Sequence, residues 1–233
     1  MATLLELHGD KIRITEETLK EAALNVRKGK DIVEFLLSER GDEVKITEKV
    51  LKAAASNRFT GRDIIELLLR ERGDEVKITE DVLVRTVLDW ESGGDIIELL
   101  LRERGDEVKI TEKVLKAAAS NRFTGRDIIE LLLRERGDEV KITEDVLMQT
   151  VLNWECGRDI MALLLKQRGN EVNITEKVLK VVVQDMLQGG EIIDLLLEQR
   201  GDNVSDRKKL LKAHNALRRP YSSITSNPNE DDH

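Results

Sequence analysis

Proline, cysteine and aromatic side chains are nearly missing from this chain. Two prolines, one cysteine and 3% aromatics are spread over 233 residues. Scarce proline removes the commonest helix breaker, and an aliphatic interior is what a helical array needs. The lone Cys156 forms no internal disulfide, which excludes a stapled secreted scaffold and agrees with a reducing compartment. No apolar run reaches the ~18 residues that span a bilayer, and the start MATLLELHGDK lacks the basic region and apolar core of a secretory signal. A cytoplasmic protein with no membrane partner is expected. The three histidines, His8, His214 and His233, all lie outside the full repeats, so no metal set or catalytic triad can be assembled on them. The segments G-R-D-I and G-G-D-I lack the lysine and length of a phosphate-binding loop. No enzyme, cofactor or metal is expected. A net charge of −8 argues against a nucleic-acid binder, which needs a basic stripe.

What is present is repetition. The stretch GDEVKITEKVLKAAASNRFTGRDIIELLLRER, residues 41–72, returns letter for letter at 105–136. Gly9, Gly41, Gly73, Gly105, Gly137, Gly169 and Gly201 share one register, each 32 residues after the last. A fixed period of this size marks a solenoid. The expected organisation is a partial repeat at 1–8, six tandem repeats over 9–204, a capping helix at 205–219 and a disordered tail at 220–233, rich in turn formers and acid. Loss of a first helix ahead of residue 9 would leave Ile12, Ile14 and Leu19 with less cover than Val44, Ile46 and Leu51.

Each repeat reads as two helices. The first begins at Thr15, Thr47, Thr79, Thr111, Thr143 or Thr175, each preceded by isoleucine and followed by glutamate, the signature of an N-cap with a hydrophobic staple. Val50, Leu51, Ala54 and Ala55 then share one side at helical spacing. The second helix is announced by Thr60-Gly61-Arg62-Asp63, a pattern that recurs at Ser92–Asp95 and Thr124–Asp127 and reads as a cap. The residues I-I-E-L-L-L are apolar nearly all round and belong to the more buried helix. At its end the R-G-D triplets, as at Arg72–Asp74, resemble an adhesion motif. They read better as a helix stop, with arginine on the negative terminus and glycine in the left-handed conformation. Val44 and Ile46 alternate in the connection as anchors between repeats.

The order T-x-x-x-L-x-x-A-A, then N, then G-x-D-I-I-x-L-L-L, then G-x-x-V resembles the ankyrin repeat over residues 9–204. The TPLH tetrapeptide is replaced by Thr47-Glu48-Lys49-Val50, and the nine-residue connection from Leu69 to Thr79 is too short for a projecting hairpin finger. The fold expected is therefore all-α: an α-solenoid of 32-residue helix-turn-helix repeats, ankyrin-like without long β-hairpin fingers. The run ITEKVLKAAASN…RGDEVKITE is also similar to repeats of large fungal proteins, including arrays behind the nucleotide switch of NOD-like receptors. That resemblance implies a ligand-sensing or interaction array.

The repeats alternate in kind, so the full sequence period is 64. Residues 41–72 and 105–136 carry Arg58-Phe59 and Arg122-Phe123, where 73–104 and 137–168 carry Trp90-Glu91 and Trp154-Glu155. Arg85 and Gln149 replace Ala53 and Ala117 in the first helix, and Met186 holds the register of Arg58 and Trp90 in the last repeat. Four of the six aromatic residues fall in these inter-helix segments. Such rings either plug gaps between repeats or form recognition anchors, since tryptophan and arginine are enriched at binding hot spots. The candidate partner-binding set is Arg58, Phe59, Arg85, Trp90, Glu91, Arg122, Phe123, Gln149, Trp154, Glu155 and Met186. Lys52, Val84, Lys116, Met148 and Lys180 vary at one register that helical spacing turns outward. Net charge by repeat runs 0, +1, −5, +1, −2 and −3 from residue 9 to residue 200, so acid concentrates in the third, fifth and sixth. A non-catalytic protein-interaction domain that takes another protein or an extended peptide is the function expected. A self-associating scaffold, forming a homo-oligomer through its repeats, is the alternative.

Overall fold

The computed structural model describes residues 14–41, 44–185, 187–200 and 204–217. The partial repeat at 1–8 and the tail at 220–233 lie outside these residues, as do Ile12 and Met186. The described residues form thirteen α-helices and no strand. The chain is an all-α helical repeat protein. Two compact units divide it, residues 1–141 and 142–233.

In the first unit the first helices of successive repeats are α1 (Glu16–Leu24), α3 (Glu48–Ala55), α5 (Glu80–Val87) and α7 (Glu112–Ser120). The second helices are α2 (Gly29–Arg40), α4 (Gly61–Arg72), α6 (Gly93–Arg104) and α8 (Gly125–Arg136). Each first helix packs on its own second helix and on the first helix of the next repeat, and the second helices stack in the same way. The result is two parallel layers. The second unit repeats this plan with α9 (Glu144–Val151), α10 (Gly157–Arg168), α11 (Glu176–Gln184) and α12 (Gly189–Arg200). A further helix, α13 (Val204–Leu217), packs on both α11 and α12.

The interior is almost wholly aliphatic. In repeat 41–72, Val44, Ile46, Val50, Leu51, Ala53 to Ala55, Ile64, Ile65, Leu67 and Leu68 are all buried. Each fully buried leucine or isoleucine contributes about 1.5–3 kcal/mol relative to an exposed one, so summed burial across the helix layers holds the array together. The alanines keep the first helix slim, and Val44 and Ile46 seat the connection. Leu19 is 0% and Ile14 4% exposed, as well covered as Leu51 and Ile46 at 2% and 6%. The expected deficit of cover at these two residues is therefore absent.

Helix ends follow the threonine register, with an exception. Thr15, Thr79, Thr111, Thr143 and Thr175 accept from the N–H three residues on, whereas Thr47 makes no such cap. Its hydroxyl donates instead to Glu16 of the preceding repeat at 2.6 Å.

Two local expectations change. Glycine at the end of the second helix is right-handed, φ −53° and ψ −37° at Gly73, and no described glycine has positive φ. At Gly73, Gly105 and Gly137 the chain tightens into a 3₁₀ turn instead of reversing through the left-handed region. The glycine carbonyl, which accepts the N–H three residues on, takes a second donor from one repeat later: Arg72 Nη1 donates to Gly41 O at 2.7 Å, and Arg104 Nη1 to Gly73 O at 2.7 Å. Glu75 and Glu107 hold the same two guanidinium groups. These arginines are tied into the frame, so the R-G-D triplets are fasteners between repeats.

The second change concerns Thr60, Ser92 and Thr124, none of which caps its helix through the side chain. The residue three positions earlier does that work. Asn57 Oδ1 accepts from Phe59 N and Thr60 N at 3.2 and 3.1 Å, an Asx turn. The invariant glycine after it answers a close approach: a Cβ on Gly61 would lie 2.3 Å from Ala54 O, and one on Gly125 2.4 Å from Ala118 O.

Candidate functional site

The inter-helix turn is built from the inside out. Asn57 is 1% exposed, and while its carbonyl oxygen shapes its own turn, its amide reaches back one repeat. Nδ2 donates to Ala23 O at 2.8 Å and to Asn25 O at 3.0 Å. Asn121 does the same to Val87 O and Asp89 O at 2.8 and 3.2 Å. One buried amide thus fixes both a turn and its spacing from the turn before. Asp89 holds this register at 4% exposure, accepting from Glu91 N, Ser92 N and Ser92 Oγ. A carboxylate has no N–H₂ to send backward. At Asp185 the missing donor is replaced by Gln188, whose Nε2 donates to Trp154 O.

With the turn pinned from below, the two residues after the asparagine or aspartate point outward. Phe59 is 67%, Phe123 70%, Trp90 44% and Trp154 45% exposed. These rings do not plug gaps between repeats. Two of them meet along the turn edge of the first unit: Arg58 lies over the Trp90 ring, Cζ 5.1 Å from its centroid, and Trp90 meets Phe123 at 5.5 Å with planes tilted by 49°. Three successive turns therefore join into one cation–aromatic–aromatic row, the offset geometry that ring quadrupoles favour. Glu91 and Arg122 are exposed beside it, and Glu155 is exposed at its own turn in the second unit.

The other candidates fall elsewhere. Arg85 is half-buried on α5, its Nε donating to Ser56 Oγ at 2.5 Å, below the turn edge and outside the row. Gln149 is half-buried at the same register of α9. Met186 lies outside the described residues. Lys52, Val84, Lys116 and Met148 are half-buried instead of outward, because helices of adjacent repeats crowd that face; Lys180 is exposed.

Residue-by-residue reading of the aromatics missed the aliphatic members of the edge. Leu24, Val26, Leu88, Leu152 and Leu187 are exposed at 38%, 50%, 41%, 58% and 75%. Val26 and Leu187 hold the registers of the rings, and Leu24, Leu88 and Leu152 the position just before the turn's asparagine or aspartate, so the 32-residue alignment carries the signal once exposure at one turn is known. Of the ten large hydrophobic side chains exposed among the described residues, only Leu211 lies away from these turns.

Electrostatics on the opposite edge of the first helices is a set of small inter-repeat ties. The Thr47 hydroxyl, and then Lys49 at 3.6 Å, hold the Glu16 carboxyl below the usual carboxylate range. Thr175 and Lys177 do the same to Glu144, and Lys113, at 2.5 Å, lowers Asp81. Among the described residues no group of three or more His, Cys, Asp or Glu side chains converges to hold a metal. No helix among them is long and apolar enough to cross a membrane. Cys156 is half-buried, with Asn153 Nδ2 3.2 Å from its sulfur.

Known proteins give one point of attachment. Neither a curated protein nor a solved structure matches the chain. The model of one family matches six times in tandem, at residues 4–32, 35–64, 67–96, 99–128, 131–161 and 163–192. Each of the last five matches runs from within one second helix, through the threonine-register first helix and the turn, to the start of the next second helix. It therefore spans the parts that fasten one repeat to another. Those six matches cover most of the chain, which belongs to the family described as Domain of unknown function (DUF7104).

Proposed function

We propose that the chain is a non-catalytic protein-interaction domain that binds another protein or an extended peptide along the edge of its inter-helix turns. One observation carries the reading: nine of the ten exposed large hydrophobic side chains among the described residues lie at inter-helix turns, six of them in the first unit. Contiguous exposed apolar surface on a well-packed frame marks an interaction site. The frame beneath, with its Asn57 and Asn121 brackets, is rigid enough to hold the rings without help from a ligand, which lowers the ordering cost of binding. Variation at the turn on a constant scaffold is how repeat proteins set specificity. An ankyrin-like fold and a place as the sensor array of a fungal receptor belong to this reading and rest on the sequence resemblance; a cytoplasmic setting belongs to it too and rests on composition and the single cysteine.

The test compares partner capture by the wild-type chain with capture by the Trp90→Ala/Trp154→Ala double variant, both shown to be folded by circular dichroism. Loss of the retained proteins in the variant supports the reading. Equal capture by both removes the turn edge from it.

A further inference from the structure

The turn edge alternates in charge as well as in ring type. Arg58-Phe59 is followed by Trp90-Glu91, then Arg122-Phe123, then Trp154-Glu155. All eight of these residues are exposed. The backbone positions are equivalent, because each turn is set by the same buried Asn or Asp and the same glycine. Within the first unit an anionic, ring-bearing turn therefore lies between two cationic, ring-bearing turns, joined through Arg58, Trp90 and Phe123.

Such an edge is complementary to itself. We infer that its occupant is a second copy of this chain, laid antiparallel so that the Arg122-Phe123 turn of one copy faces the Trp90-Glu91 turn of the other. This rests on the turn edge being the interaction surface, and names what covers it. In that register Arg122 meets Trp90 and Glu91 of the second copy, and the two-fold axis returns the same contacts in reverse, as an isologous interface requires. Parallel in-register pairing does the opposite, setting Arg58 on Arg58 and Glu91 on Glu91, and like charges face to face select against it.

The surface is of the right order. Side chains such as Phe59, Trp90 and Phe123 bury ~150–250 Å² each when fully covered, and these are 44–70% exposed. Two copies thus bring several hundred Å² of ring surface together before the aliphatic neighbours are counted, toward the ~1,200 Å² at the low end of a specific interface. Val26, Leu88 and Leu24 extend the apolar surface in the same unit. Charge sets the direction and rings supply the burial.

The experiment is sedimentation equilibrium of the full chain from about 1 to 300 μM, a range centred on moderate affinities. The two tryptophans, Trp90 and Trp154, are the only ones in the chain and both lie on the edge, so their emission reports its cover directly. The proposal expects a concentration-dependent dimer with a blue shift of that emission. Arg58→Glu/Arg122→Glu and Glu91→Arg/Glu155→Arg should each be monomeric at concentrations where the wild type is dimeric. An equimolar mixture of the two should recover the dimer, since one edge is then all acidic and the other all basic. These sites are exposed, and circular dichroism confirms that each variant is folded. A wild-type chain monomeric throughout, a dimer indifferent to both charge reversals, or a mixture that stays monomeric overturns the self-pairing. Any of these leaves the interaction reading to be decided by the capture comparison with the tryptophan variant.

Discussion

Residues 41–72 and 105–136 are one sequence placed twice in the first unit, and the two copies differ where their neighbours differ. The buried layer is nearly indifferent to context: Asn57 and Asn121 both bracket two carbonyls of the preceding repeat, although those carbonyls belong to Ala23 and Asn25 in one case and Val87 and Asp89 in the other. Backbone acceptors are presented whatever the side chain, so this fastening copies with the repeat. The outer layer is not indifferent. Phe123 finds the Trp90 ring on the preceding turn, whereas Phe59 follows Val26 and Arg27. Small polar contacts shift too. Thr124 Oγ1 accepts from Asn121 Nδ2 at 3.0 Å, while Thr60 Oγ1 is buried without a hydrogen-bond partner.

The sharpest test of the equivalence of the two copies is at the glycine. Gly61→Ala and Gly125→Ala each drive a Cβ to 2.3–2.4 Å from a helix carbonyl, and urea unfolding should show a loss of about 2–3 kcal/mol for either, the scale of overpacking. The two losses should agree closely. Gly190→Ala, a helical site with nothing within 4 Å of the new atom, should instead gain about 0.5–1 kcal/mol.

Next in size is the amide bracket. Asn57→Ala and Asn121→Ala leave buried carbonyl and N–H groups without partners, so each should cost about 2 kcal/mol by the same measurement. Asp89→Asn has the opposite sign: supplying the backward donors that its neighbours use should raise stability by about 1 kcal/mol. A null or destabilising result there would show that the turn before Asp89 is spaced differently from those before Asn57 and Asn121.

Trp90→Ala tests the outer layer. It removes the ring that distinguishes the surroundings of Phe123 from those of Phe59, at a stability cost of about 1 kcal/mol or less for an exposed ring contact. Aromatic proton shifts should change at Phe123 and hold at Phe59.

The smallest effect is on pH dependence. The folded Glu16 carboxyl is held down by the Thr47 hydroxyl, so its contribution is present above the unfolded carboxylate pKa and is lost as pH falls through the lower folded value. Glu16→Gln should flatten the acid limb of the melting-temperature profile slightly. Because Glu144 has the matching partner in Thr175, Glu144→Gln should act in the same direction.

Much of the frame was legible in the letters. The 32-residue register, the threonine caps, the valine and isoleucine anchors and the choice of buried faces follow from periodicity, because burial of a helix face writes an apolar stripe into the sequence. The Asn57 bracket was harder to read, since an asparagine before Arg-Phe-Thr-Gly has several local uses and only the stacked neighbour supplies its acceptors. The right-handed glycine of the R-G-D step escaped for a related reason: a helix can stop through a left-handed residue or a 3₁₀ turn, and the Arg72 guanidinium waiting one repeat later favours the second. Arg85 was misplaced from the edge because its half-buried seat against Ser56 depends on the adjacent helix.

The sequence by itself determined that this protein is an all-α array of two-helix repeats in two alternating kinds, since a fixed period and a one-sided apolar stripe leave no other way to bury the aliphatic side chains. Tertiary structure alone decided which residues meet water at the turns. Whether a tryptophan fills a gap or stands on an edge depends on how far a buried amide in the next repeat draws the backbone beneath it, and that distance exists only once the repeats are stacked.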